Sequence, residues 1–149
     1  MPAIAYRPAR DDDYDFLYAL HSAAMRDVIE IVWGWNEEFQ VQFFREHHRP
    51  ERQLIVELDG HAVGVVGFDV DAERFYVGPF EVDPAFQGRG IGSAAMTEML
   101  RMADAAGVPA TLQVLKVNVN AFRLYRRMGF ETFADTETHH LMRRPVPPA

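Results

Sequence analysis

The most constraining feature of this sequence is a segment of alternating glycines that runs from Gln87 to Gly92. It follows a stretch with strand character and precedes a helical pattern. Alternating glycines let the backbone approach another group closely, and a helix N-terminus presents unpaired N–H groups with a partial positive charge. The segment therefore predicts a strand-to-helix turn that binds an anion, most often a phosphate. Arg89 can add positive charge at its rim.

Two familiar phosphate-binding patterns do not fit this segment. A P-loop requires a Gly-Lys pair, and the sequence has none here. A dinucleotide fingerprint requires a third glycine where Ser93 stands, and an acidic residue at the end of the next strand. The next predicted strand, Thr111–Val117, has no acid. From the spacing alone, another kind of phosphate loop and a tight turn without a ligand both stay open.

Three consecutive strand patterns precede the glycine segment. Asp59-Gly60 separates the first two and indicates a two-residue hairpin turn, because glycine tolerates the positive φ of such turns. This order predicts an antiparallel meander. The predicted strands along the whole chain are Ala3–Tyr6, Leu54–Leu58, Ala62–Val70, Phe75–Val82, Thr111–Val117, Phe130–Phe133 and His139–Met142.

Apolar residues at helical spacing predict four helices. The acids Asp11 to Asp13 stand where they can cap the first, and Asn36 where it can cap the second. Gly34, Gly107 and Gly129 stand where helices end. Together the patterns predict one α+β domain over residues 1–144, with a mixed, largely antiparallel central sheet flanked by helices, and a proline-rich tail over residues 145–149.

Composition excludes several functional classes. With 22 acidic and 15 basic residues, the chain has a net charge of −7, which argues against nucleic acid and anionic membranes as partners. The absence of cysteine excludes disulfides, thiolate zinc sites and a catalytic thiol. No histidine pair has the spacing of a helical metal site, so we predict no metal. Without an apolar run of bilayer length or a signal-peptide pattern, the expected location is cytoplasmic.

A second motif lies downstream of the glycine segment. Asn118, Ala121, Leu124 and Tyr125, followed by Gly129-Phe130, match the pattern N-x-x-A-x-x-L-Y-x-x-x-G-F. The glycine segment itself matches Q-x-x-G-x-G. The two motifs, in this order and with a helix and a strand between them, resemble the GNAT superfamily of acyl-CoA-dependent N-acetyltransferases. The resemblance is close over residues 75–131.

The resemblance implies acetyl-CoA as donor and a primary amine, of a small molecule or a peptide, as acceptor, joined in a ternary complex. It also implies a splay between the fourth and fifth strands that admits the pantetheine arm, and backbone N–H groups that hold the pyrophosphate. Asn118 is expected to contact the arm or to fix the local backbone. The residues implied in cofactor binding are Phe80, Val82, Gln87, Gly88, Arg89, Gly90, Ile91, Gly92, Ser93, Asn118, Ala121 and Tyr125.

Acetyl transfer from a thioester to an amine needs a base for the ammonium and an acid for the departing thiolate. Tyr125 is the predicted acid, because a tyrosine hydroxyl can donate to a thiolate; the alternative is an ordinary residue on the apolar face of its helix. Glu81 is the predicted base, with Phe80 and Val82 facing the opposite side of the strand; the alternative is a solvated carboxylate. Some family members carry a base on the fifth strand, where this sequence has Gln113.

The acceptor site is the least determined part of the sequence. In this fold the first two helices and the last hairpin enclose the acceptor, which makes Trp33, Trp35, His21 and His139 the predicted substrate-binding residues. The two tryptophans can attract a cationic amine, or serve only as packing at a helix corner. The alternative function is an acyl-CoA-binding regulatory module without turnover. A homodimer is expected from exposed edge strands.

Overall fold

The computed structural model describes residues 3–148, so residues 1, 2 and 149 of the predicted domain and tail lie outside it. The described residues form four helices and seven strands. The strands are β1 (Ile4–Pro8), β2 (Gln53–Leu58), β3 (His61–Val70), β4 (Phe75–Val82), β5 (Ala110–Leu115), β6 (Glu131–Asp135) and β7 (His139–Arg144). The helices are α1 (Tyr14–Trp33), α2 (Glu37–His47), α3 (Ile91–Ala106) and α4 (Val119–Arg127).

All strands join one sheet in the order β1-β2-β3-β4-β5-β7-β6. Every neighbouring pair is antiparallel except β4 and β5. The structure thus confirms the mixed, largely antiparallel α+β class. It also confirms the β2–β3–β4 meander, whose first turn has positive φ angles of 50° at Asp59 and 85° at Gly60.

The two parallel strands separate soon after they begin. β4 pairs with β5 only at Phe75 with Ala110 and Tyr76 with Thr111. From Val77 onward β4 has no paired partner on this side among residues 3–148. The sheet is therefore open at its centre, next to the C-terminal half of β4, as expected for the splay.

The sheet separates two layers of packing. On one face α3 and α4 cover a core that includes Met96, Met99 and Phe130, all nearly inaccessible to solvent. On the other face Leu17 and Leu20 of α1 pack on β2 and β3. Because side chains alternate along a strand, neighbouring residues of β4 reach different layers.

The last hairpin starts later than predicted. Phe130 is a core residue rather than the first residue of β6, and its backbone N–H donates to the Tyr125 carbonyl at 3.0 Å. That bond closes the end of α4, so β6 begins at Glu131. All five residues of β6 are exposed at an edge of the sheet, and the expected homodimer stays a prediction.

The acids before α1 form a short 3-10 turn, Asp11–Asp13, which places Asp13 at the N-cap of α1 as predicted. The Asp13 carboxylate makes no capping bond to α1 itself, but it accepts from the Arg10 backbone N–H at 2.8 Å. Its two oxygens also accept from the Arg7 guanidinium, each at 2.9 Å. The hydrogen bonds from Arg7, although burial opposes them, lower the pKa of Asp13 from 3.8 to about 2. The pair ties β1 to the start of α1.

We expect Asp13→Asn to lower the free energy of unfolding by about 2 kcal/mol at pH 7, the equivalent of that pKa difference. Because the folded pKa is the lower one, this stabilisation is present above about pH 4 and is lost as the pH falls toward 2. Urea unfolding at pH 7 and pH 3 measures it. Asp12→Asn is the control, since Asp12 is exposed. Equal losses in the two variants would contradict the assignment.

Candidate active site

The glycine segment forms the turn between β4 and α3. Gly88 and Gly90 have φ angles of 77° and 80°, in the left-handed region that favours glycine. Gly90 is the N-cap of α3, and the first backbone bond of the helix runs from Ala94 to the Gly90 carbonyl. Within residues 3–148 the N–H groups from Gly88 to Ser93 have no protein partner. A row of free donors at a helix N-terminus suits an anion.

Three members of the segment have local roles. The Gln87 amide donates to the Val82 carbonyl at 3.0 Å, which fixes the turn to the end of β4. A Cβ atom at Gly92 would lie 3.3 Å from Leu124, so this glycine allows α3 to approach α4. The Arg89 guanidinium lies over the Phe86 ring at 5.1 Å. These contacts shape the turn, while its backbone donors stay free.

The second motif begins α4 and positions Tyr125. The Asn118 side chain caps α4 by accepting from the Ala121 N–H at 3.4 Å. This bond fixes the local backbone, one of the two roles expected for Asn118, and its contact with the pantetheine arm stays a prediction. Ala121 is half-buried beside the core. The cap therefore sets the start of the helix that carries Tyr125 one turn further on.

Tyr125 lies at the opening of the sheet. Its side chain is buried, and its ring meets those of Phe80 and Phe130 edge-on, each with 6.0 Å between centroids. Burial, and then the negative charge of Glu81, raise the pKa of Tyr125 far above its usual 10. The hydroxyl therefore keeps its proton at neutral pH and can act as a donor.

Glu81 is buried on β4 and faces α1, whereas Phe80 and Val82 pack in the α3–α4 core. Its Oε2 atom lies 3.1 Å from Nδ1 of His21 on α1. Nε2 of His21 lies 3.1 Å from Oε1 of Gln40 on α2. Three elements therefore meet in one buried polar chain, and Glu81 is not a solvated strand residue.

The charge of His21 follows from these contacts. Burial is the largest influence and favours the neutral ring, but the Glu81 carboxylate and the Gln40 carbonyl together outweigh it. The pKa of His21 is consequently raised above its usual 6.5. Gln113, at the fifth-strand position where some family members carry a base, is exposed on β5.

The junction of α1 and α2 brings aromatic rings to this chain of polar groups. The Trp35 ring lies 6.0 Å from that of His21, and the Arg26 guanidinium lies 5.3 Å from the same indole. The indole N–H donates to Glu37 at 2.8 Å, which holds the ring in place. Trp35 is therefore a fixed neighbour of the His21–Glu81 pair.

Trp33 and His139 form a second contact at the same junction. Trp33 is exposed, so it is not core packing, and its ring lies 6.3 Å from that of His139. The Thr138 hydroxyl lies 2.8 Å from Nδ1 of His139, and burial lowers the pKa of His139. The α1–α2 junction thus meets the start of β7.

Two residues of this region escaped the sequence analysis. Gln40 looks like one more polar residue of an amphipathic helix, and only its burial in the structure distinguishes it. Arg26 is an exposed residue of α1 whose ring contact with Trp35 depends on the turn at Gly34.

In residues 3–148, no group of three His, Asp or Glu side chains is placed to hold a metal ion. None of the described helices is long and apolar enough to cross a membrane.

The splayed sheet beside a glycine turn is the architecture expected of an acyl-CoA-dependent acyltransferase, and comparison with known proteins agrees. The sequence model of the acetyltransferase (GNAT) family matches residues 14–130. The L-amino acid N-acetyltransferase AaaT of Escherichia coli is 30% identical over 145 aligned residues, covering 88% of this chain and 85% of that protein. An acetyltransferase of Pectobacterium atrosepticum is 28% identical, covering 83% of this chain and 84% of that protein.

A solved structure supports the fold. The PaiA N-acetyltransferase of Thermoplasma acidophilum, crystallised in complex with coenzyme A, superposes with a TM-score of 0.82 at 16% identity. The superposition covers 97% of this chain and 99% of that chain. The chain therefore belongs to the GNAT acetyltransferase family and is an acetyl-CoA-dependent N-acetyltransferase.

Proposed function

We propose that the protein transfers the acetyl group of acetyl-CoA to the primary amine of a small molecule, with Glu81 as general base and Tyr125 as general acid. The observation that carries this proposal is the position of the two side chains. Glu81 is a buried carboxylate near the open end of β4, and the buried Tyr125 ring contacts the neighbouring residue of that strand, Phe80, with 6.0 Å between ring centroids. The glycine turn follows this end of β4, and the aromatic rings of the α1–α2 junction adjoin Glu81 through His21.

The residues present fit acetyl-CoA. The free N–H groups from Gly88 to Ser93 suit its pyrophosphate. The unpaired side of β4 at Phe80 to Val82 suits an extended arm that adds backbone hydrogen bonds to a strand. Arg89 supplies positive charge at the rim. When bound, acetyl-CoA supplies the acetyl group as an activated thioester.

The acceptor must lose a proton before its nitrogen can attack, because an aliphatic ammonium has a pKa of about 10. In this proposal Glu81 takes that proton directly or through one water, so that one N–H bond breaks and one O–H bond forms. The proton then passes to solvent. Glu81 suits this role because His21 fixes its carboxylate on the side facing α1.

We expect Tyr125→Phe to lower kcat roughly 100-fold by removing the proton donor for the departing thiolate. The dissociation constant of acetyl-CoA should change little, because the ring and its contacts with Phe80 and Phe130 remain. Steady-state kinetics and calorimetry measure the two effects. Tyr76→Phe is the matched control, since burial also raises the pKa of Tyr76, on the paired part of β4. An unchanged kcat in Tyr125→Phe would remove this hydroxyl from the chemistry.

A small amine is the proposed acceptor because an aromatic ring lies beside the His21–Glu81 pair. Trp35 lies 6.0 Å from the ring of His21, which contacts Glu81, and an aromatic face attracts a cation. Trp33 and His139 extend this wall toward β7. Amino acids come first among small amines, because a relative that is 30% identical is an L-amino acid N-acetyltransferase. A peptide amine is the other class of acceptor.

An assay of CoA release with a panel of acceptors tests this proposal. The panel contains the natural amino acids, simple alkyl and aromatic amines, polyamines and peptides with free N-termini. Turnover of a small amine that falls sharply in Glu81→Gln supports the proposal, whereas turnover of peptides alone would assign the other class of acceptor. Binding of acetyl-CoA without release for any acceptor would support the alternative, an acyl-CoA-binding module without turnover.

A further inference from the structure

Helix α2 contacts the candidate site through an unusual residue. Phe39 and Phe43 are exposed, whereas Gln40 is the single residue of α2 that is fully buried. A buried amide is costly unless it is hydrogen-bonded, and Gln40 meets this need at His21. The burial of Gln40 is therefore explained by its hydrogen bond to His21.

The contacts of His21 constrain its protonation. A neutral imidazole has one N–H donor and one bare nitrogen, while the cation has two donors. Both ring nitrogens face oxygen atoms at 3.1 Å, Oε2 of Glu81 and Oε1 of Gln40. This arrangement satisfies the cation completely. The neutral ring is also satisfied, by a weaker bond, after the Gln40 amide rotates by half a turn, so that its NH2 group donates to the bare Nε2 atom.

We propose that Gln40 is a positioning residue whose amide supports His21 in both protonation states, and that it thereby sets the pH at which Glu81 becomes an effective base. The predicted effect on the pH dependence of the rate rests on the acetyl transfer proposed above. The predicted effect on the protonation of His21 does not depend on it.

Of the two polar side chains that contact the His21 ring, Gln40 can be changed without removing the proposed base, Glu81. Glu81 is the charged group that contacts it from β4, and Tyr18 lies one turn before it on α1, with 6.4 Å between rings. Phe44 of α2 and Trp35 contribute uncharged rings. Glu37 contacts neighbours of the His21 ring: it accepts from the Trp35 indole N–H, and, after burial, it helps to raise the pKa of Tyr18. Apart from Glu81, a charge introduced at position 40 would be the charge closest to the ring.

The link to catalysis is electrostatic. A positive charge on His21, 3.1 Å from Oε2 of Glu81, stabilises the carboxylate and weakens it as a proton acceptor. The neutral ring removes this effect and still donates Nδ1–H to the carboxylate. During turnover Glu81 alone gains the ammonium proton and passes it to water, while His21 keeps its own. The ascending limb of the pH profile of kcat/KM therefore reports the deprotonation of His21.

Two substitutions at position 40 should move that limb in opposite directions. Gln40→Glu places a carboxylate at Nε2, which favours the cation and should shift the limb upward by about one pH unit. Gln40→Met keeps the size but removes the acceptor. It should shift the limb downward by roughly half a unit, because hydrogen bonds to charged groups are the stronger ones. At pH 6 the methionine variant should be more active than the natural protein.

Gln42→Glu is the matched control, because it adds the same charge on the same helix at an exposed residue whose amide contacts Glu46. The titration of His21 is followed independently of activity by NMR of its imidazole nitrogens. Its signals are assigned by their loss in His21→Gln. The pKa of His21 should rise in Gln40→Glu, fall in Gln40→Met and stay unchanged in Gln42→Glu.

The outcomes separate this inference from the proposed function. Opposite shifts of both the NMR titration and the kinetic limb support it. A shift in the NMR titration with a fixed kinetic limb would overturn the link to Glu81, although acetyl transfer would stand. A pKa of His21 that is insensitive to Gln40→Glu would overturn the role of Gln40. This last test holds even if Gln40→Met does not fold or no acceptor is turned over.

Discussion

Gly90→Glu is expected to weaken acetyl-CoA binding at least roughly 100-fold. Gly90 is the N-cap of α3, with free backbone donors on both sides of it in the turn. A carboxylate placed about 5 Å from a bound pyrophosphate would cost roughly 3 kcal/mol at an effective dielectric constant of about 20, which corresponds to about two powers of ten in affinity. Calorimetric titration with acetyl-CoA measures the change.

The structure offers a close control at the other end of the same helix. Gly107 ends α3 with a φ angle of 73°, and a Cβ atom there would meet nothing within 4 Å, as at Gly90. Gly107→Glu therefore imposes the same backbone strain and the same charge, far from the turn. Normal binding in Gly107→Glu with lost binding in Gly90→Glu isolates the anion site. Equal binding in both variants would show that the turn does not hold the pyrophosphate.

The parts of the site that depend on local backbone geometry could be predicted from the sequence. The glycine turn and the Asn118 cap are each formed by a few neighbouring residues, so the local sequence is sufficient to predict them. The facing of Glu81 also follows from strand alternation, which separates it from Phe80 and Val82. These predictions needed no knowledge of how the helices pack.

The polar chain beside Glu81 could not be predicted in the same way. Its contacts join residues that are 60 and 19 positions apart, on β4, α1 and α2. The apolar residues of α2 do not indicate which face turns inward, since Phe39 and Phe43 are exposed while Gln40 is buried. Only the approach of α1 to β4 gives Gln40 a partner. The acceptor side depends on the same packing, which explains why the sequence left its roles open.

The misplaced start of β6 has a different origin. The Phe130 N–H donates to the Tyr125 carbonyl and the Gly129 N–H to the Arg126 carbonyl, the local bonds that end a helix at a glycine. These bonds hold Phe130 in the core, although an aromatic residue is also typical of a strand. Tertiary contact acts at Asp13, where Arg7 of β1 adds two charged hydrogen bonds to the local one from the Arg10 N–H.

Glu81→Gln is expected to lower kcat by roughly 100-fold or more, the usual contribution of a general base. The amide keeps the shape of the carboxylate and a hydrogen bond to His21, so the fold and acetyl-CoA binding should be retained. The residual activity should lose the ascending limb of the pH profile, because the carboxylate through which the charge of His21 affects proton removal is gone. Stopped-flow or steady-state CoA release across pH 5–9 measures both effects.

Gln113→Glu provides the control that shows whether a carboxylate on β5 can replace the proposed base on β4. It restores a carboxylate at the fifth-strand position used by some family members, but its side chain is exposed rather than buried beside His21. The double variant Glu81→Gln/Gln113→Glu should therefore stay as slow as Glu81→Gln. Recovery of kcat in the double variant would show that position matters less than charge. Natural activity in Glu81→Gln would exclude Glu81 as the base and leave water or the acceptor itself to release the proton. The burial of Glu81 between His21 and the open sheet is the reason to expect neither result.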